Sequence, residues 1–473
     1  MNSSFADLPS LLDSDDPEYA NGIVRAFAAN DAFRAAEWEE LTTEENPYRR
    51  PVRPDDLAWL DYSRPMPADR ALLLSALLGH RMLRNVYDSD LLYLPPKGND
   101  AATASRQAFY SPRNRTLSAL AQPVLERHLF TLLDEVRTPL DGNGTADVVA
   151  HARAYLDRRR AEPGRAGEAV SDTKGRREAA SFLMVQLSAF VPAAHAAIGR
   201  AAVGEYGLAH PGLRGLLLDA YRSWDGDAED YRAMLASAGL TTGAAAYWQL
   251  YLGSSLARGN HLLHLARSHE NAFAFLGAWT QFEIDRAVTA PHYAAAFEDG
   301  LGARPAYLDG IPDLTGDWLE QRVVELLGPL VERFGTGVVG EFHRGFADAA
   351  WLADLWNRDL GEQVTWADRI EEYQDKAVRI DRKITEENIT VDLDTFVETC
   401  DETSTTHVHD DHRLVMVESG RMHFWNNVTH KITLEEGEKL LIPLSRLHGS
   451  TVLSGSCTYH QPIIPEEMFR EFD

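Results

Sequence analysis

The chain is poor in cysteine: Cys400 and Cys457 are the only two in 473 residues. So few cannot staple a disulfide scaffold, and their scarcity fits a reducing cytoplasm. No uninterrupted apolar run reaches 18 residues, so no membrane span is expected. The N-terminus, MNSSFADLPSLLDSDDPEYA, lacks a basic start followed by an apolar stretch and does not read as a signal peptide. Positive charge is in deficit, with a formal net charge of -26. Such a surface repels phosphate backbones, which disfavours nucleic acid and anionic membrane as partners and mildly favours a cationic small molecule. There is no GK dipeptide, hence no P-loop, and no GxSxG. No G-x-G-x-x-G is expected either, and so P-loop ATP chemistry, α/β-hydrolase chemistry and dinucleotide redox all lose ground.

What is present is a normal globular composition, 44% hydrophobic and 25% charged, over a length that suits two or three domains. From Leu8 to about Arg137 apolar residues recur at helical spacing, as in ADRALLLSALLGHRMLRNVY and TLSALAQPVLERHLFTLLDEV. The turn-rich TPLDGNGT, Thr138 to Thr145, marks a plausible boundary. The polar stretch Arg158 to Arg177 reads as a mobile loop. From Glu178 to about Trp366 long helical patterns return, enough for a bundle of at least six helices. After KAVRIDRKITEEN the character changes to short β-rich segments separated by turn residues, which predicts a small sandwich or barrel.

The β-rich tail carries THVHDDHRLVMVESGRMHFW, with four of the 17 histidines. His407 and His409 lie two apart, so in a strand they point to the same face. A third ligand has to come from another strand, and EGEKLLIPLSRLHG offers His448. Three neutral imidazoles on one face of an ion leave positions open for dioxygen and a substrate. This suits non-haem Fe(II), with Mn, Ni, Cu or Zn open on ligand type alone. The HxH step followed by G-x5-P-x4-H, Gly437 to His448, resembles the two motifs of the cupin family of jelly-roll barrels. Many cupins add a Glu four or five residues after the second His; here those positions are Arg413 and Leu414. His412 is out of phase with His409 and is expected outside the ligand set, and Glu418 sits too near the following turn. His423 and Trp425 share a face with Arg421. In the helical region His261 and His264 are spaced i,i+3 and could share a metal, but the commoner reading is of buried, hydrogen-bonded histidines. No histidine has Asp or Glu three residues before it, so the Glu-x-x-His step of carboxylate-bridged di-iron bundles is missing.

Collinear segments along the whole chain carry a further resemblance: ENPYRR at Glu45, VYDSDLLYLP at Val86, AFYSPRNR at Ala108, AYWQLYLGSSL at Ala246, GPLVERFG at Gly328, then THVHD and RLHG. The chain resembles the N-nitrosourea-forming metalloenzymes of streptozotocin biosynthesis. The resemblance implies an N-terminal helical dimerisation domain, a haem-oxygenase-like di-iron domain that hydroxylates guanidine nitrogens of an arginine, and a mononuclear iron cupin that rearranges the product to an N-nitrosourea. It places the cupin iron on His407, His409 and His448. The di-iron set departs. The family's first Glu falls on Ala193 or Ala194, its Asp-Glu-Tyr-Gly step becomes Asp219-Ala220-Tyr221-Arg222, and its next His falls near Asp227. A later Glu becomes Gln281, and Asp-x-x-His becomes Thr315-Gly316-Asp317-Trp318. Asp219, Asp227 and Glu229 make a poor substitute set.

The expected architecture is multidomain α plus β. It comprises an N-terminal helical dimerisation domain (1–137), a haem-oxygenase-like helical bundle without metal (145–370) and a C-terminal cupin β-barrel (386–473). The expected activity is Fe(II)- and O2-dependent rearrangement of an N-hydroxylated guanidine derived from arginine, forming an N–N bond, in a cytoplasmic homodimer. Arg413 and Arg446 are candidate anchors for a substrate carboxylate. A catalytically retired partner protein and a cupin dioxygenase of another substrate class are the alternatives.

Overall fold

The computed structural model describes residues 16–29, 52, 55–89, 100, 104, 107, 110–162, 164–240, 247–304, 308, 314, 317–400, 403–426 and 431–472. ENPYRR, most of the segment after Asp88, Ala246, Thr315 and Gly316 lie outside them, as does the side chain of Asp227. The helices are α1 Pro17–Ala28, α2 Leu74–Asp88, α3 Pro112–Phe130, α4 Leu133–Val136, α5 Thr145–Ala161, α6 Arg165–Asp172, α7 Arg176–Ala202 and α8 Leu213–Ser237. They continue with α9 Gly253–Arg267, α10 Ala272–Leu301, α11 Trp318–Phe334, α12 Gly337–Asp368, α13 Ile370–Glu386 and, after the strands, α14 Glu466–Glu471.

α7, α9, α10 and α12 pack on one another and form the centre of the helical region; α2 docks on α9. α12 runs 32 residues because Val339, Phe342, Phe346, Ala349, Ala353, Trp356 and Leu360 keep one buried face at three- and four-residue spacing. It crosses α10 at close range. A Cβ on Gly277 would lie 1.8 Å from Phe342 O, and one on Gly345 would lie 1.8 Å from Ala274 O. Each helix thus gives the other's backbone room that only glycine leaves. α7 is long and apolar enough by composition to cross a membrane, yet 67% of its most apolar window is buried within the protein, as befits a core helix. One hydrophobic cluster runs from α1 through α12 and also takes in Val408, Trp425 and Leu447.

Two expectations are corrected here. The stretch Arg158 to Arg177 is not a loop: it holds the end of α5, all of α6 and the start of α7. Ala166 and Val170, four residues apart, turn inward, and Gly167 lets α6 approach His292 on α10. Small residues at helical spacing outweigh the polar composition. Dinucleotide redox also meets one spacing match, since Gly335 to Gly340 reads GTGVVG, a G-x-G-x-x-G. It joins helix to helix, α11 to α12, and lacks the strand-to-helix context that a dinucleotide turn needs.

The eight strands are β1 Leu393–Thr399, β2 Thr403–His407, β3 His412–Ser419, β4 Arg421–Trp425, β5 Lys431–Glu435, β6 Lys439–Ile442, β7 His448–Val452 and β8 Ser456–Ile464. They form two antiparallel four-stranded sheets, ordered β1-β8-β3-β6 and β2-β7-β4-β5. The expected closed barrel is therefore two separate sheets. Val415, Val417, Met422, Phe424, Ile432, Leu434, Leu440 and Ile442 fill the space between them, with Trp366 and Ile370 entering from α12 and α13. α13 lays Ala377 and Ile380 on the other face of the first sheet, against Leu414, Leu441 and Ile464. Because Met422 and Phe424 face inward, alternation turns His423 and Trp425 outward. There Trp425 joins the helical core instead of facing water.

Candidate metal centre

The antiparallel register sets His407 at the end of β2 directly against His448 at the start of β7. His409 lies just beyond β2, not within it, but its ring still turns to the same place. The ring centroids are 4.8 Å apart for His407 and His409, 4.6 Å for His407 and His448, and 5.0 Å for His409 and His448. One ring nitrogen from each converges with the other two within 4.8 Å. Among the described residues this is the one group of three or more His, Cys, Asp or Glu side chains close enough to share an ion.

Hydrogen bonding decides which nitrogen is free. His407 Nδ1 lies 2.9 Å from Thr405 O, and His448 Nδ1 lies 2.9 Å from Arg446 O. A carbonyl only accepts, so both Nδ1 atoms carry the proton and both Nε2 atoms keep a lone pair. Nε2 of His409 and of His448 is buried with no hydrogen-bond partner. A buried acceptor without a donor costs about 1–3 kcal/mol, and an ion removes that cost. Burial holds the proton affinity of His407 below the usual range. It pushes His409 and His448 well below, helped by the neighbouring imidazoles. Neutral imidazoles are the form that binds metal.

Three helical elements grip the backbone beside these residues. Arg81 of α2 donates to Thr406 O at 2.8 Å and to Thr406 Oγ1 at 2.9 Å. The short turn Trp248–Leu250 brings Gln249, whose side chain accepts from Thr406 N at 3.1 Å, and Thr406 Oγ1 also bonds Gln249. Asp410 accepts from Leu74 N at 2.9 Å at the start of α2 and pairs with Arg70 at 2.6 Å. On the other side Gln363 of α12 donates to Leu447 O at 2.8 Å and accepts from Leu447 N at 2.9 Å. Phe424 and Trp366 lie against the His448 ring, at 5.7 and 6.4 Å. Gln363 also lines a cavity of about 330 Å³, with Lys174, Glu178, Asp368 and Asn426 on its walls and none of the three histidines.

The other sequence candidates take different places. Arg446 is buried and spent on α12: it donates to Asp359 O at 3.1 Å and to Glu362 at 2.9 Å. Arg413 pairs with Asp411 at 2.8 Å and Asp394 at 3.2 Å, while its charge still bears on all three histidines. His412 accepts from Leu444 N at 3.1 Å and donates to Glu466 at 2.8 Å, so it braces the loop before His448. Glu418 pairs with His460 at 3.3 Å. His261 is buried, and His264 pairs with Glu126 at 3.2 Å. In the bundle, Ala193 and Ala194 are buried, Asp219 points to solvent with Arg222, and Gln281 donates to Tyr155 at 2.7 Å. Arg81, Gln249 and Gln363 escape a sequence reading because nothing local marks them. Asp410 carries one signal, its place beside the HxH step.

No protein-family profile matches the chain. Nitrosourea synthase from Streptomyces achromogenes subsp. streptozoticus is 30% identical to it over 430 residues, which span 88% of this chain and 89% of that protein. With that likeness running nearly end to end, the chain belongs to the nitrosourea synthase family.

Proposed function

We propose that the chain is an N–N-bond-forming enzyme of natural-product biosynthesis, with one Fe(II) held by His407, His409 and His448 in a cupin-type site. Its substrate is an arginine-derived N-hydroxylated guanidine, and O2 is the co-substrate. When bound, iron supplies a Lewis acid and an electron source at an open coordination face. The protein's own part is to keep three imidazoles neutral, fix two of them in one tautomer through Thr405 O and Arg446 O, and wall the site with Phe424 and Trp366. The observation that carries the reading is the pair of buried, partnerless Nε2 atoms in a cluster of three convergent imidazoles. Both anchor candidates for a substrate carboxylate are already ion-paired, and Arg413 is the more accessible of the two, since Arg446 is buried against α12.

The helical region belongs to the same proposal as a haem-oxygenase-like scaffold, with the N-terminal helices serving dimerisation. Among the described positions that carry the di-iron set in the family, Ala193 and Ala194 are buried and apolar, Gln281 is neutral and Asp219 is turned to solvent. We assign that region no iron, and therefore no arginine hydroxylation; a separate hydroxylase has to supply the substrate. The test is anaerobic Fe(II) loading of wild type and His448→Ala, followed by O2 and N-hydroxylated arginines. The expected result is one iron per chain, lost in the variant, with O2 and substrate consumed together. Two or more irons would overturn the assignment of the bundle. No iron in either protein would leave the retired-partner reading in its place.

A further inference from the structure

The middle of the helical bundle holds a charge set that the proposed function does not use. Arg159 of α5, Arg258 of α9 and Asp285 of α10 are all buried. Arg159 donates to Asp285 Oδ1 from Nη2 at 2.7 Å and from Nε at 3.1 Å. Arg258 Nη2 donates to Asp285 Oδ2 at 2.8 Å. Two guanidinium groups against one carboxylate leave one positive charge over. A charge left without compensation in a core is costly.

Arg258 is where the surplus shows. Asp285 is its one hydrogen-bond acceptor among the described residues. Among the described residues its remaining N–H groups, of the five a guanidinium carries, meet no further acceptor. Its plane lies near Phe190, Trp356 and Phe282, at 4.3, 5.1 and 5.7 Å. Those rings soften the charge but accept nothing at the guanidinium edge. Beside it is a cavity of about 30 Å³, walled by Arg258, Asp285, Thr289, Tyr293, Phe190 and Leu308. The Tyr293 hydroxyl is buried, and the Thr289 hydroxyl beside it is its one side-chain neighbour for a hydrogen bond among the described residues. Thr289 on the same wall already donates to Asp285 O at 2.9 Å. The cavity is thus rich in donors and short of acceptors, since both oxygens of Asp285 are already engaged.

We propose that this cavity binds a small monovalent carboxylate-type anion, held by the free edge of Arg258 and the hydroxyl of Tyr293. A volume above roughly 10–15 Å³ admits a water, so the space suits a ligand of about three heavy atoms. A water satisfies a donor but leaves the charge; a planar two-oxygen anion does both and matches the guanidinium edge. The same surplus charge repels a divalent cation, which sets this site apart from the histidine cluster. The anion is either a free small ion or the tip of a larger ligand.

Thermal melting of the metal-free full chain in sodium formate tests the site, with sodium propionate at equal concentration as the size control. Formate is expected to raise the melting temperature saturably, and propionate is not. Tyr293→Phe keeps the packing and removes one donor, and is expected to weaken formate binding at least about fivefold, the equivalent of one lost hydrogen bond. Saturation by both anions would place the tip of a larger carboxylate there and uphold the site. Equal, linear effects of both salts, or formate binding unchanged in Tyr293→Phe, would overturn it and leave ordered water in the cavity. Neither arm depends on iron, so its failure is distinguishable from failure of the histidine site.

Discussion

Gln363→Leu separates positioning from ligation at the histidine cluster. Gln363 touches no histidine ring hydrogen-bond partner directly; it holds the N–H and the C=O of Leu447, at 2.9 and 2.8 Å, one residue before His448. Gln363 and Leu447 are both buried, and any water that replaces either bond has to enter from the cavity that Gln363 lines. Leucine fills nearly the same volume, and so the perturbation is the loss of two bonds with both backbone groups orphaned. Each orphan costs about 1–3 kcal/mol, which puts the loss at about 2–6 kcal/mol where α12 meets β7. The second consequence is on metal affinity. His448 is kept in its tautomer by Arg446 O, and that carbonyl belongs to the strand entry that Gln363 clamps. Loosening a group that orients a ligand weakens metal binding by about 10–100-fold. The assay is an anaerobic Fe(II) titration against a chelator, run beside urea denaturation, with His448→Ala as the ligand-loss reference. Gln363→Leu is expected to keep one site of reduced affinity, whereas His448→Ala loses it. If Gln363→Leu were destabilised yet bound Fe(II) as tightly as wild type, the clamp would be a packing contact only and the reasoning would fail.

Asp410→Ala removes the acceptor for Leu74 N and the partner of Arg70; the expected cost is about 1–2 kcal/mol by urea denaturation, while Asp410→Asn keeps most of it. Gly345→Ala drives a methyl group against Ala274 O on α10. It is expected to cost more than about 3 kcal/mol, read out as lost soluble expression. Phe346→Leu in the same helix is the milder control. His80 is buried, and burial lowers its pKa to about 3. Asn260 Nδ2 lies 3.3 Å from its Nδ1. The unfolded chain then binds the proton that the folded chain refuses, so this contribution is whole above about pH 6.5 and is lost as pH falls toward the folded value. From pH 6.5 to pH 5 the loss is about 2 kcal/mol, and His80→Asn is expected to flatten the slope of stability against pH by about one proton.

The sequence was most legible where spacing translates directly into geometry. The change from three- and four-residue periodicity to short alternating runs after Glu386 separated helix from sheet, because side-chain direction follows the backbone repeat. His407, His409 and His448 could be picked out because an x-separated pair and a turn-strand-turn return are local patterns. One reading failed, and another could not be weighed from the sequence, both for physical reasons. Arg158 to Arg177 looked like a loop because its polar residues dominate composition, whereas Ala166 and Val170 decide its packing. Arg446 looked like a substrate anchor because it adjoins His448, and only the approach of α12 shows that Asp359 and Glu362 claim it.

By itself the sequence determined the helical and β segments, the identity of the three convergent histidines and the absence of a Glu-x-x-His step, all of which are properties of neighbouring residues. Tertiary structure alone decided the rest. Which imidazole nitrogen is free depends on Thr405 O and Arg446 O, and the backbone behind them is held by Arg81, Gln249 and Gln363. The surplus guanidinium of Arg258 exists only because α5, α9 and α10 bring two arginines to one aspartate. Contacts between residues tens or hundreds of positions apart leave no periodic trace in a chain, so their energetics appear only once the helices have packed.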